Sequence, residues 1–179
     1  MDAVARARTT TVNGWRAIRS AGRADNGPLV RAAMQKALPL VNVLEEAAYW
    51  TARTDSAGAR LAGGREYRLC FAADGLPPNG AFWSLTATDT GGYMVGRRSG
   101  EPGGRPSVDS HSGLATGTDG SVVLLIGARR PDGTAPQNWL ATPPGRFMLT
   151  LRVYLPGAAI VEGAYRVPPI ERVRAGARS

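Results

Sequence analysis

The stretch FMLTLRVYL at residues 147–155 decides the fold class, because apolar and polar side chains alternate along it. Every second residue is large and apolar: Phe147, Leu149, Leu151 and Val153. Thr150 and Arg152 lie between them and would point to the opposite side of an extended chain. A period of two residues is typical of a β-strand with one buried face. We therefore predict a strand here, with its apolar face turned toward a core.

Four stretches that precede this one also have the composition of strands. They cover residues 48–53, 66–71, 82–88 and 121–128. Turn-forming residues separate them at 55–58, 90–92 and 119–120. Short strands, frequent turns and little helix after residue 50 predict a mainly β protein, an antiparallel jelly-roll-like β-sandwich. Two stretches rich in Gly and Pro, 97–118 and 131–145, are predicted to be irregular.

The N-terminal part of the chain has helical spacing instead. Residues 25–28 (DNGP) combine a capping residue with an early proline, which indicates a helix start. Apolar residues then recur every three or four positions until Pro39, which should end this short helix. A second short helix or turn is predicted over residues 43–48. We divide the chain into a basic N-terminal segment 1–24, one β-sandwich domain with a leading helix 25–173, and a basic tail 174–179.

The chain has 179 residues with 22 basic and 14 acidic side chains, and the basic excess lies at its two ends. The first 36 residues contain seven basic and two acidic residues, the last 14 contain four and one, and the remainder contains eleven of each. Basic ends can bind phosphate backbones, but no aromatic residues alternate with the C-terminal arginines as single-strand binders require. We therefore expect solvated ends and no nucleic-acid partner.

Composition excludes several other classes of function. One cysteine and one histidine exclude a disulfide framework and any site with two imidazole ligands. No apolar run reaches the roughly 18–20 residues of a membrane span. No phosphate-binding glycine loop is present, so we expect no nucleotide, no other cofactor and no metal. The first residues do not resemble a secretory signal, so a cytoplasmic location is the default expectation.

Five groups of short motifs occur in order along the chain. They are YRLCF at 67–71 with LPP at 76–78, FWSLT at 82–86, DGS at 119–121, NWL at 138–140 with PGRF at 144–147, and LRVYLP at 151–156 with EG at 162–163 and PP at 168–169. Their order and spacing resemble the bacterial domain-of-unknown-function family 1214. Upstream, NGW at 13–15 and EAAY at 46–49 are similar to the segment that leads into that domain.

The resemblance implies a jelly-roll-like β-sandwich without an established general activity. Members often form the C-terminal half of two-domain proteins whose N-terminal half is family 1254, and such relatives are often exported. The resemblance therefore implies a separate remnant of the two-domain form, with a 1254-type domain or a second copy as partner. Two departures stand out. The stretch 96–112 replaces the family's Asn-Arg-Tyr-Ser segment, and Trp139-Leu140-Ala141 replaces Trp-Leu-Pro. A ligand site shaped by the missing segment would be lost.

Four carboxylates lie at predicted strand ends or turns: Asp74, Asp89, Asp119 and Glu162. Two carboxylates about 5–10 Å apart can serve glycoside hydrolysis, and clustered ones can bind calcium. The preference of aspartate for turns explains these positions equally well. The catalytic alternative is a hydrolase or other enzyme acting on a glycan or small molecule. It requires two of these groups to meet in a pocket near Trp83 or Trp139.

Four side chains are candidates for ligand binding: Trp83, Asn138, Trp139 and Arg152. Trp139 is expected to close the open end of the sandwich, with Asn138 bonded to nearby backbone. Arg152 points away from the apolar face of its strand. It would bind a carboxylate or sugar beside Trp139, or pair with Glu162.

Two reactive residue types remain. His111 lies close to Asp109 and Ser112, but neighbouring residues on a strand point to opposite faces, so we expect a solvated loop histidine. Cys70 falls on the polar face of its predicted strand and is expected to be a boundary residue. We therefore predict a structural or binding module, with the enzyme kept as the alternative.

Overall fold

The structure is a computed structural model that describes residues 9–18, 42–94 and 104–173. This part of the chain is mainly β, with ten strands in two sheets. The predicted leading helix and the tail 174–179 lie outside the described residues. None of the helices in the described ranges is long and apolar enough to cross a membrane. The elements are β1 Thr9–Val12, β2 Trp15–Ile18, β3 Ala47–Ala52, β4 Tyr67–Phe71, β5 Trp83–Asp89, β6 Ser107–Asp109, β7 Val122–Gly127, a 3₁₀ turn Pro136–Asn138, β8 Trp139–Ala141, β9 Phe147–Tyr154, the helix α1 Ala158–Val161 and β10 Ile170–Arg172.

The larger sheet has the strand order β1-β2-β3-β9-β5-β6, and every neighbouring pair in it is antiparallel. The strand predicted from the alternating stretch is β9, which lies between β3 and β5. Leu149, Leu151 and Val153 are fully buried on one face of β9, whereas Arg152 is only half-buried on the other. The prediction of a strand with one apolar face is therefore confirmed.

The smaller sheet has the order β10-β4-β7-β8. Its pairs are antiparallel except that β8 runs parallel to β7, so the expectation of a purely antiparallel protein is wrong. β8 also corrects the prediction that residues 131–145 are irregular throughout. A strand of three residues is too short to show a period of two, and only its pairing with β7 defines it.

The sequence analysis also missed a hairpin near the N-terminus. β1 and β2 are joined by Asn13 and Gly14, whose φ angles are 54° and 82°. Positive φ at both turn positions is typical of a type I′ turn, which Asn-Gly favours. β2 then pairs with β3 and extends the larger sheet. The domain boundary at residue 24 stays a prediction, but residues 9–18 are part of this sheet.

The stretch 97–118, predicted to be one long loop, contains a strand. β6 pairs with β5, and the Thr86 and Ser107 hydroxyls lie 3.0 Å apart across this pair. Residues 95–103 lie outside the described residues. In the stretch 43–48 the chain forms a turn at residues 44–46 before β3 begins, so the turn rather than the helix is correct.

Aromatic side chains bring the two sheets into direct contact. The Tyr67 ring of β4 meets the Phe147 ring of β9 edge to face, with centroids 5.8 Å apart. The Phe71 ring of β4 lies 5.7 Å from the Trp83 ring of β5. Each fully buried side chain of this kind contributes about 1.5–3 kcal/mol through the hydrophobic effect. The apolar faces of the alternating strands therefore meet in a common core.

The β1–β2 end of the larger sheet is covered differently. Residues 157–168, which are α1 and the extended chain after it, contact this end. The Trp15 indole N–H donates to the Pro168 carbonyl at 2.8 Å, and the Asn13 amide donates to the Val167 carbonyl at 3.0 Å. Here the sheet is covered by a single helical turn and a loop instead of a second sheet. We call residues 157–168 the cover segment.

Candidate functional site

The four candidate acids occupy turns, as the turn preference of carboxylates predicts. Asp89 is the last residue of β5, and its Oδ1 accepts backbone N–H groups of Gly91 and Tyr93 in the turn that follows, at 2.8 and 2.9 Å. Asp119 precedes β7, and its Oδ1 accepts the Ser121 N–H at 3.0 Å. Hydrogen bonds from Ser121 lower the pKa of Asp119. Both side chains therefore stabilise turns.

The structure does not bring all four acids together. Asp74 and Asp119 lie in adjacent turns, because the turn after β4 contacts the turn before β7 at Gly120. Both turns are at the Trp83 end of the core, since Phe71 contacts Trp83. Asp89 is at the opposite end of β5, about 20 Å away along a seven-residue strand. Glu162 follows α1 and is exposed. Among the described residues, no three His, Cys, Asp or Glu side chains form a group that could hold a metal ion.

The two candidate tryptophans are both buried, each in a different sheet. Trp83 is 2% exposed on β5 and packs against Phe71. Trp139 is 2% exposed on β8, and its indole N–H donates to the Gly127 carbonyl at 3.2 Å. A Cβ added at Gly104 would lie 3.3 Å from the Trp139 ring, so backbone covers this ring closely. Both rings are therefore core side chains without an open face.

Asn138 is buried and uses its amide on the backbone. It accepts from the Ala115 N–H at 2.7 Å and donates to the Ala115 and Val123 carbonyls, both at 2.9 Å. The side chain thus ties the loop before β7 to the start of β8. Its expected backbone bonding is present, and its partners lie in the loop at residue 115 and in β7.

Arg152 is on the face of β9 opposite the core, where its Nη1 lies 3.4 Å from the Thr86 hydroxyl. Trp139 belongs to the other sheet, so the expected juxtaposition of Arg152 with Trp139 does not occur. In the described ranges Arg68–Glu171 is the single ion pair, so the predicted pairing of Arg152 with Glu162 is also absent.

The His111 imidazole and the Cys70 thiol have different surroundings. The Asp109 carboxylate accepts the His111 backbone N–H and the Ser112 hydroxyl, at 2.9 and 3.0 Å. The exposed imidazole lies against Phe82 with ring centroids 5.9 Å apart. Burial raises the pKa of Cys70, which favours the unreactive thiol over the nucleophilic thiolate.

A cavity lies under the β1–β3 end of the larger sheet. It has a volume of about 220 Å³ and is bounded on the other side by the cover segment. Three aromatic side chains on the core side of the sheet contribute to its wall, and we call it the aromatic pocket: Trp15, Trp50 and Tyr165. Smaller apolar residues complete the wall, among them Ala17, Leu44 and Ala48.

The polar atoms of two of these rings are already bonded to backbone. Trp15 donates to Pro168, and the Tyr165 hydroxyl donates to the Gly75 carbonyl at 3.1 Å. Burial raises the pKa of Tyr165, which therefore stays neutral in the folded protein. The wall of the pocket combines these rings with polar surface.

One cation lies at the rim of the aromatic pocket. Arg166 is exposed, contributes to the pocket wall, and donates from Nη1 to the carbonyls of Gly163 and Tyr165. The sequence analysis counted Arg166 only as part of the basic C-terminal end and did not single out any pocket residue. The pocket joins residues distant in the chain, such as Trp15 and Tyr165, so no local pattern predicts it.

The comparison with protein families gives a clear match. The family described as "Protein of unknown function (DUF1214)" matches residues 46–158. The chain belongs to the DUF1214 family. Of the aromatic pocket, Trp50 lies within the matched residues, whereas Trp15 and Tyr165 flank them.

Two solved structures are similar to this DUF1214 chain. The VPA0106 protein from Vibrio parahaemolyticus is 24% identical with a TM-score of 0.67, over 84% of this chain and 36% of that one. An uncharacterised protein from Burkholderia cenocepacia is 22% identical with a TM-score of 0.46, over 75% of this chain and 31% of that one. The chain thus spans about a third of the length of either protein. The first likeness supports the fold alone. No curated protein matches the chain.

Proposed function

We propose that this DUF1214 chain is a non-catalytic β-sandwich that binds a small apolar ligand in the aromatic pocket. The observation that carries the proposal is an open cavity with aromatic rings in its wall. Ligand sites are typically concave, mostly apolar and few in number. Support for the sandwich comes from the Tyr67–Phe147 and Phe71–Trp83 contacts between the sheets.

The enzyme alternative has less support. A glycoside hydrolase needs two carboxylates flanking one bond, and Asp89 lies a whole strand away from Asp74 and Asp119. None of these acids contributes to the aromatic pocket. A glycan is also a poorer ligand than an apolar molecule, because the Tyr165 hydroxyl on the pocket wall is already bonded to the Gly75 carbonyl.

The size of the pocket sets the size of the ligand. A dry cavity of about 150 Å³ accepts benzene, so about 220 Å³ accommodates one ring with a short substituent. Phenylacetamide, a neutral molecule of that size, is therefore a suitable probe. Two of the four tryptophans contribute to the pocket wall, so their fluorescence should report its binding.

The test compares two variants in a phenylacetamide titration. Ala48→Leu fills the pocket and should abolish binding. Val123→Leu lengthens an exposed side chain on the outer face of the smaller sheet and should bind as the unmodified protein does. If phenylacetamide does not bind, or if Ala48→Leu binds it unchanged, the proposed function is wrong.

A partner domain is the second element of the proposal. The chain covers 36% of the V. parahaemolyticus protein, so that protein contains much additional chain. This supports a 1254-type domain as partner. Mixing the purified chain with a purified 1254-type domain should give one complex by light scattering. Two separate species, or a homo-oligomer unaffected by the added domain, would contradict it.

A further inference from the structure

The guanidinium of Arg166 is held at the mouth of the aromatic pocket. Its Nη1 donates to two carbonyls of the cover segment, those of Gly163 and Tyr165, the second at 3.1 Å. Both residues contribute to the pocket wall. These contacts restrict the side chain before any ligand arrives, which reduces the conformational entropy lost on binding.

Arg166 retains unused capacity for an anion. A guanidinium has five N–H donors in a planar fork that matches a carboxylate, and the two contacts seen here both involve Nη1. The one ion pair within the described ranges joins Arg68 and Glu171, so no described carboxylate neutralises Arg166. The pocket thus combines aromatic rings in its wall with a cation at its rim that no described carboxylate neutralises.

We infer that the aromatic pocket selects a small arylalkyl or alkyl carboxylate, with the apolar body among the rings and the carboxylate at Arg166. The inference rests on the proposed function, because it names the ligand class of the same pocket. The interior provides affinity through apolar burial. Arg166 provides the preference for an anion through charge-assisted hydrogen bonds.

The experiment compares phenylacetate with phenylacetamide, which have the same ring and the same number of non-hydrogen atoms. Isothermal titration at low salt should give phenylacetate about 1.5- to fivefold tighter binding, the range expected for an ion pair at an exposed position. Raising the ionic strength should lower the ratio of the two affinities toward one, because salt screens exposed charges. Acetate, which lacks the ring, should not bind measurably.

Arg166→Gln tests the role of the guanidinium. This variant should bind both probes with the affinity of phenylacetamide, and Arg166→Lys should restore part of the preference. Arg172→Gln removes an exposed arginine of β10 that is not part of the pocket wall, and it should keep the full preference. Phenylacetamide binding by Arg166→Gln shows that the pocket is intact, so a structural collapse would be recognised.

The outcomes separate this inference from the proposed function. The assignment of the ligand to carboxylates is wrong if both probes bind equally to the unmodified protein, or if Arg166→Gln keeps the preference. The pocket remains a binding site in either case. If neither probe binds, the proposed function and the inference are both wrong.

Discussion

The two ends of the larger sheet have the same apolar inner face but different covers. At β5 and β9 the cover is β4, and aromatic rings such as Phe71 and Tyr67 fill the space. At β1–β3 the cover is a four-residue helix and a loop, and a pocket of about 220 Å³ remains. In a sheet, every second side chain of each strand points toward the facing sheet. A single helical turn does not supply such a regular set of side chains. The open space is therefore a consequence of the element that covers the sheet.

The largest effect should come from removing a ring at the filled end. Phe71→Ala deletes a fully buried side chain that packs on Trp83, and it should lower the free energy of unfolding by about 3–5 kcal/mol. Urea denaturation measures this loss. Val123→Ala on the exposed face of the same sheet should change it by less than about 0.5 kcal/mol. A small loss for Phe71→Ala would mean that this end is not tightly packed.

Adding atoms should have opposite consequences at the two ends. Ala87→Leu inserts a larger side chain into the filled core and should cost about 1–3 kcal/mol. Ala48→Leu places the same atoms in the aromatic pocket and should be neutral or stabilising. Thermal and urea unfolding of the two variants provide the comparison. Equal destabilisation would show that the two ends are packed alike.

Hydrogen bonds hold the cover segment to the β1–β2 end. Trp15→Phe keeps a buried ring but removes the bond to the Pro168 carbonyl, so we expect a loss of about 1–2 kcal/mol in urea denaturation. Tyr154→Phe, which removes a half-buried hydroxyl on the opposite face of the sheet, serves as the control. An unchanged urea midpoint for Trp15→Phe would indicate that packing alone holds the cover segment against the sheet.

The smallest effect is a pH dependence at Tyr165. Burial raises the pKa of this hydroxyl in the folded protein, so its contribution to stability is complete below the unfolded pKa of about 10 and is lost as the pH rises further. In an alkaline absorbance titration, Tyr165→Phe should therefore match the unmodified protein near pH 10 and differ only at higher pH. A smaller absorbance change near pH 10 in the variant than in the unmodified protein would contradict this.

Much of the β architecture was predictable, because burial on one face imposes a period of two. The strands β4 and β9 follow from that pattern, whereas β3, β5 and β7 follow from their strand-like composition. β6, β8 and β10 have three residues each, and pairing with a neighbour defines them. The β1–β2 hairpin had a usable signal in Asn13-Gly14, which the sequence analysis treated only as part of a family resemblance.

The candidate site was much less predictable. The turn roles of Asp89 and Asp119 and the backbone bonding of Asn138 follow from the chemistry of those residue types. The position of Arg152 relative to Trp139 does not, because alternation assigns a face of a strand but not the sheet that lies opposite. Trp15 and Tyr165 are about 150 residues apart in the chain, so only folding makes them neighbours.

By itself the sequence determined the mainly β class, the apolar faces of the long strands, the turns and the family. Each is a local property, set by side-chain alternation or by the preferences of Asp, Asn and Gly. The tertiary structure decided which face is covered by a sheet and which by a loop, and so where a pocket remains. That outcome depends on the packing of distant segments against each other, which no local pattern specifies.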